Sequence, residues 1–153
     1  MFSWSTIVEN LPYLLQATRF TLLVSGLGMA LGLVMGMVLC VARLSPIRWI
    51  SRIAALYVSF FRGVPLLVQL LLAYYFLPSI GIDIPPLWAA VCSIGLCAAA
   101  YIAEILRGAL IAVPHGQAEA AAALGMHPFT IWKRILIPQA LKISMPSLVN
   151  ELI

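Results

Sequence analysis

Three stretches without any charged residue, each about 20 residues long, constrain the fold of this chain more than any other feature. They cover residues 20–42, 63–82 and 84–103. A helix needs about 20 consecutive apolar residues to cross roughly 30 Å of hydrocarbon. The composition agrees, because 63% of the residues are hydrophobic and only 9% are charged, against roughly 45–50% and 25% in a soluble domain. The chain is therefore predicted to be an integral membrane protein.

The pattern within these stretches predicts an all-α, polytopic helical bundle. Hydrophobicity does not alternate at a period of two, which disfavours a β-barrel. We expect one membrane domain over 1–153, with spans at approximately 20–42, 63–80, 87–107 and 141–153, the last cut off at the chain end. Residues 1–11 lack the basic start of a signal peptide, so the first span should be retained. Residues 1–18 are expected to form an interfacial segment, or alternatively a disordered tail.

The distribution of arginines and lysines predicts the orientation. The connector after the first span carries Arg43, Arg48 and Arg52 and no acidic residue, which places it in the cytosol by the positive-inside rule. Alternation then places the turn around Asp83 outside, the 113–138 loop inside and the N-terminus outside.

The 113–138 loop is predicted to form two short helices with a bend between them. Residues 117–124 are rich in alanine and favour a helix, which Gly125 would end in the left-handed conformation. Pro128 suits the first turn of a second helix, whose apolar residues recur at spacings of three and four. The alternative is a single amphipathic helix lying on the membrane.

The same loop carries a motif that resembles the coupling loop of ABC importer permeases. The motif is Glu119-Ala120-Ala121, then Gly125, then Ile135-x-Ile137-Pro138, with Ile137 at a position where Leu is usual. Blocks similar to the polar amino acid branch of these importers lie at 61–69, 100–108, 113–117, 136–141 and 150–153. The resemblance implies the type I ABC importer fold, with about four of the usual five spans present.

The function implied by this resemblance is that of a permease subunit in the bacterial inner membrane. Such a subunit forms half of the translocation pathway for a polar amino acid. Its partners would be an ABC ATPase dimer, a second identical or sister permease, and an extracytoplasmic substrate-binding protein. The chain contains no phosphate-binding loop, so ATP hydrolysis is expected to belong to the ATPase, and no cofactor, metal or nucleic acid is expected. The alternative is a truncated remnant that does not transport.

An enzyme is disfavoured because His115, His127 and Glu119 do not make a convincing catalytic cluster. The resemblance instead assigns part of the loop to ATPase coupling. These residues are Glu119, Ala120, Ala121, Gly125, Met126, Phe129, Trp132, Ile135 and Pro138. Within this set the glycine would allow the bend, the alanines close approach and Glu119 a charge contact, while Met126, Phe129 and Trp132 would insert into the partner.

Asn150 and Glu151 are the candidate substrate pathway. Glu151 lies nine residues after Lys142, about 13 Å by helix rise, so an ionisable group would reach the middle of the membrane. Its carboxylate could receive the ammonium group of an amino acid, and Asn150 could add neutral hydrogen bonds. The alternative role is a packing contact between helices.

Two further basic residues have predicted surroundings. Arg62 would lie near the bilayer midplane on a straight helix, so an elbow before Gly63 and Pro65 is favoured, with Arg62 at the cytosolic surface. Glu104 and Arg107 are three residues apart and are expected to form a structural ion pair.

Overall fold

Helices make up nearly all of the part of the chain that the computed structural model describes, which is residues 4–151, with side chains from residue 10 onward. The helices are α1 (Trp4–Arg43), α2 (Arg48–Gly63), α3 (Leu66–Leu71), α4 (Leu77–Ser79), α5 (Pro86–Ala112), α6 (His115–Ala123), α7 (Pro128–Ile131) and α8 (Ile137–Glu151). Two π-helical segments, Leu72–Phe76 and Trp132–Leu136, join α3 to α4 and α7 to α8. The described residues contain no strand, and the predicted all-α bundle is confirmed.

Within the part of the chain that the structure describes, two helices are long and apolar enough to cross a membrane on their own. They are the part of α1 from residue 10 to 43, and α5. A third candidate is the pair formed by α2 and residues 66–79, which meet at an angle of 98°. Residues 152 and 153 of the predicted fourth span lie outside the described residues.

α1 runs without a break from Trp4 to Arg43, so the alternative of a disordered tail is wrong for residues 4–18. The interfacial position expected for residues 1–18 stays a prediction. Pro12 removes one backbone donor without ending the helix. The hydroxyl groups of Thr18 and Thr21 donate to the carbonyls four residues earlier, at 2.8 and 3.0 Å.

The chain bends at Val64 and Pro65, as the Gly63 and Pro65 pattern predicted. Val64 is extended, with φ −102° and ψ 125°, because the residue before a proline avoids the helical region. The bend frees carbonyl groups at the end of α2. The buried side-chain amide of Gln69 donates to two of them, Phe61 O at 3.0 Å and Val64 O at 2.8 Å. Gln69 therefore stabilises the broken geometry inside the chain.

α1 and α5 pack closely against each other. A Cβ atom added to Gly28 would lie 2.8 Å from Ile94 Cγ2, and one added to Gly32 would lie 2.8 Å from Ala98 Cβ. Distances this short leave no room for a methyl group, so the glycines allow the two backbones to approach.

An ion triad joins the end of α1 to α5. Glu104 on α5 accepts from Arg107 at 2.7 Å and from Arg43, the last residue of α1, at 3.1 Å. The predicted Glu104–Arg107 pair is confirmed. Arg43 was not predicted as its third member, because its contact crosses 61 positions of sequence.

Candidate functional site

The bend in the 113–138 loop is a helix end of the Schellman type built on Gly125. Gly125 has φ +74°, its N–H donates to Ala122 O at 2.9 Å, and the N–H of Met126 donates to Ala121 O at 3.1 Å. These two bonds satisfy carbonyls at the end of α6, and the left-handed residue between them is ordinarily glycine. The predicted bent pair is present, and the alternative of one uninterrupted amphipathic helix was wrong.

The second helix of the loop begins at Pro128, as predicted, and His127 caps it. The imidazole Nδ1 of His127 accepts the N–H of Phe129 at 3.3 Å. Proline is suited to the first helical position because it has no N–H to leave unpaired. The capping role of His127 was not predicted, although a side chain able to accept a hydrogen bond directly before Pro128 is a signal that could have indicated it.

Both ends of the loop contact α5 and α8. Val113 packs with Ala109 of α5 and Ala140 of α8 in a buried apolar cluster. Farther along, the Gln139 side chain donates to that of Gln117 at 3.4 Å. The start of the loop therefore contacts α5 and α8, Leu136 near its end packs against the same apolar cluster, and the bend between them is exposed.

Large apolar side chains are exposed on this bend. Leu124 is 83% exposed and Phe129 is 69% exposed, whereas Met126 is half-buried. Leu124 was missed from the sequence, because a leucine in an alanine-rich helix normally marks the buried face. Its position directly before the left-handed glycine turns it outward instead.

Trp132 is exposed but also lines an apolar cleft. The cleft has a volume of about 650 Å³ and is bordered by α1, α5 and α8. Among its lining residues are Leu33, Leu106 and Leu148. Trp132 thus faces this chain as well as the surface, and the insertion into the ATPase predicted for it stays a prediction.

The remaining predicted loop residues divide between the surface and the interior. Glu119 and Ala120 are exposed, and Glu119 has no ion-pair partner among the residues described. Ala121 is buried within this chain, so its small size serves the loop's own packing. Ile135 is half-buried, and Pro138 is exposed in the first turn of α8.

The predicted end of the loop at Pro138 does not coincide with a break in the helix. Residues 128–151 are helical throughout, with the π-helical segment lying directly before α8. Pro138 has no backbone N–H and cannot donate a helical hydrogen bond. This missing bond lies directly after the π-helical segment, where the backbone hydrogen bonding changes from the π-helical to the α-helical pattern.

The bend between α2 and α3 brings charged and aromatic groups near the end of α8. Arg62 lies over the ring of Tyr101, with 5.3 Å from its guanidinium carbon to the ring centroid, a cation–π distance. Arg62 is also close enough to the carboxylate of Glu151 for an electrostatic interaction, although the two form no ion pair. Glu151 is half-buried, whereas Arg62 and Asn150 are exposed. This arrangement differs from the sequence expectation, which placed Arg62 at the cytosolic surface and Glu151 near mid-membrane, because no local pattern links α2 to α8.

Gln69 adds a polar atom that has no partner in this part of the fold. Its amide nitrogen makes two hydrogen bonds to the broken end of α2, but its Oε1 is buried and accepts none from the residues described here. A buried acceptor without a partner is costly. Polar side chains of α2, α3 and α8 therefore lie near this bend, with Gln69 buried, Glu151 half-buried and Arg62 exposed.

Comparison with known proteins gives consistent matches over most of the chain. The family model for the binding-protein-dependent transport system inner membrane component matches residues 28–153. The probable amino-acid ABC transporter permease protein YckA of Bacillus subtilis is 39% identical over 153 residues, which cover 100% of this chain and 68% of YckA. The arginine transport system permease protein ArtQ of the same organism is 40% identical over 151 residues, covering 98% of this chain and 69% of ArtQ.

Solved structures show the same likeness. A crystal structure of an amino acid ABC transporter with histidines superposes with a TM-score of 0.92 at 36% identity, over 99% of this chain and 71% of that one. The methionine ABC transporter MetNI in an inward-facing conformation gives a TM-score of 0.63 at 25% identity, over 99% of this chain and 73% of that one.

Proposed function

Because the chain belongs to the family of binding-protein-dependent transport system inner membrane components, we propose that it forms half of an amino acid pathway driven by a separate ATPase. Members of this family are membrane transport components rather than enzymes. The amino acid substrate is supported by the names of YckA and of the solved transporter. The observation that carries the coupling proposal is the 113–138 loop, with its left-handed Gly125 and exposed apolar bend.

The bend is the surface that would dock on the ATPase dimer. Leu124 and Phe129 expose apolar area that a groove could cover, and burying one such side chain contributes about 1.5–3 kcal/mol. Glu119 lies exposed on α6 and is available to a basic partner. Attachment of the loop to α5 and α8 would pass movement of the ATPase to the spanning helices.

The polar region near Glu151 is the proposed substrate pathway. An amino acid carries one ammonium and one carboxylate group. Glu151 would receive the ammonium, Arg62 offers a charge for the carboxylate, and Asn150 supplies neutral hydrogen bonds. Charged groups inside a membrane ordinarily face protein or water and mark such pathways.

The proposed orientation follows from the basic residues. Arg48 and Arg52 of the connector and Lys133 and Arg134 of the loop lie on the cytosolic side. The turn around Asp83 and the N-terminus lie outside, where a substrate-binding protein would deliver the amino acid. A second permease subunit would complete the pathway.

Alanine substitutions at the bend test the coupling proposal. Leu124→Ala and Phe129→Ala should each lower the affinity for the ATPase about tenfold or more, since each loses about 1.5 kcal/mol or more of buried apolar contact. The measurement is binding of the purified ATPase to the permease in nanodiscs. Leu22→Ala is a matched control, because Leu22 is 68% exposed on α1, away from the loop. Unchanged ATPase affinity in both loop variants would contradict the docking assignment.

A further inference from the structure

The outward face of α2 carries an apolar stripe that begins beside two arginines. The stripe consists of Trp49, Ile53, Leu56 and Phe60, at spacings of four, three and four residues. All four side chains are exposed, and Trp49 and Leu56 are each 73% exposed. Arg48 and Arg52 are one turn apart at the start of the helix, and both are exposed. Basic and apolar groups thus share one continuous surface of a single helix.

The opposite face of α2 packs against α5. Val58 is buried with Ala100 and Ala103 of α5, and the hydroxyl of Tyr57 donates to Leu96 O at 3.0 Å. These contacts fix the rotation of α2 about its axis. The stripe therefore points away from α5.

The charges on this face favour a phosphate over a protein carboxylate. Arg48 and Arg52 form no ion pair with any residue between 10 and 151, whereas Arg43 is held by Glu104. A second copy of this chain could offer few carboxylates, because the whole sequence contains five acidic residues. Glu104 is shared by two arginines, which reduces that supply further. A bilayer of anionic lipids presents phosphates along the whole interface.

We propose that this face binds an anionic phospholipid. The lipid phosphate would lie between Arg48 and Arg52, whose guanidinium groups suit phosphate oxygens. The indole of Trp49 would lie at the level of the headgroup. One acyl chain would follow Ile53, Leu56 and Phe60. From Trp49 to Phe60 the helix rises about 16 Å, which is about half of the roughly 30 Å hydrocarbon core and matches one leaflet.

Lipid titration followed by native mass spectrometry tests the headgroup contact. The purified chain is titrated with phosphatidylglycerol and with phosphatidylcholine that has the same acyl chains. Wild type should prefer phosphatidylglycerol. Arg48→Gln and Arg52→Gln should each lower the affinity for phosphatidylglycerol about fivefold, which is the usual contribution of one basic residue near anionic lipid. The double variant should lower it about twenty-five-fold. Binding of phosphatidylcholine should remain unchanged.

The matched control removes the same charge elsewhere. Lys133→Gln with Arg134→Gln also eliminates two positive charges, and both residues are exposed in the loop. This variant should keep its phosphatidylglycerol affinity within about twofold, since its charges do not adjoin the stripe. An equal loss in the two double variants would show an effect of net charge alone and would overturn the proposal.

Photo-crosslinking identifies the molecule that covers the apolar stripe of α2. A benzophenone amino acid replacing Leu56 is illuminated in intact membranes with the partner proteins present. The expected adduct is a phospholipid, and its yield should fall when Arg48 and Arg52 are both replaced by Gln. An adduct with a second copy of the chain, or with any other protein, would overturn the assignment of this face to lipid.

Discussion

Replacing Gly125 by alanine should open the bend of the 113–138 loop through backbone strain alone. A Cβ added at Gly125 would meet nothing within 4 Å, but the residue has φ +74°. An L residue in the left-handed region costs about 1–2 kcal/mol. Since no side chain has to move, this cost falls on the two hydrogen bonds that Gly125 and Met126 donate to Ala122 and Ala121.

Gly116→Ala is the matched control for that substitution. Gly116 lies in the first turn of α6, and a Cβ there also meets nothing within 4 Å, with no positive φ. Alanine in a helix is more favourable than glycine by about 0.5–1 kcal/mol. The two substitutions therefore add the same methyl group and should change the stability of the loop in opposite directions.

Hydrogen exchange of the amides at 125 and 126 measures the difference. If exchange proceeds through local opening, Gly125→Ala should accelerate it about five- to thirtyfold, the factor that corresponds to about 1–2 kcal/mol. Gly116→Ala should leave it unchanged or slow it. Exchange in Gly125→Ala that is no faster than in wild type would refute the assignment of the bend to this left-handed residue.

Three further predictions concern the membrane part of the chain. Gly32→Ala should lower the thermal unfolding midpoint in detergent, because its Cβ would lie 2.8 Å from Ala98 Cβ and overpacking costs about 1–3 kcal/mol. The control Gly26→Ala should not lower the midpoint, because a Cβ there meets nothing within 4 Å. Equal midpoints in the two variants would contradict the close α1–α5 contact. Glu151→Gln should reduce amino acid uptake about tenfold or more with assembly intact, since a charge-assisted hydrogen bond contributes about 1.5–3 kcal/mol; wild-type uptake would leave Glu151 a packing role. A single cysteine at Asp83, in a background without Cys40, Cys92 and Cys97, should react with an impermeant reagent added outside, and labelling only from the cytosolic side would reverse the proposed orientation.

Features that depend on local sequence were predictable. The helical class follows from long uncharged stretches, and the two bends follow from glycine and proline at positions where a helix cannot continue unchanged. The Glu104–Arg107 pair follows from a spacing of three on one helix.

Features that depend on distant contacts were not predictable. Arg43 joins Glu104, and Arg62 approaches Glu151, only because the packing of α1, α2 and α8 on α5 brings them together. The length of α1 was also missed, because charged and polar residues before position 20 interrupt the apolar pattern without interrupting the helix. An apolar stretch of sequence indicates the part of a helix that lies in lipid, whereas the helix itself can extend beyond the lipid.

The unbroken course of residues 128–151 has a mechanical consequence. α7, the π-helical segment and α8 form one rod of about 35 Å by helix rise, with Phe129 near one end and Glu151 at the other. Because the helix is continuous, a tilt imposed on the loop would be passed along its backbone to the far end, with bending expected at the π-helical segment and at Pro146. Under the proposed coupling, the surface pushed by the ATPase and the carboxylate facing the amino acid lie near the two ends of one continuous helical segment. Their movements need no relay through intermediate side chains.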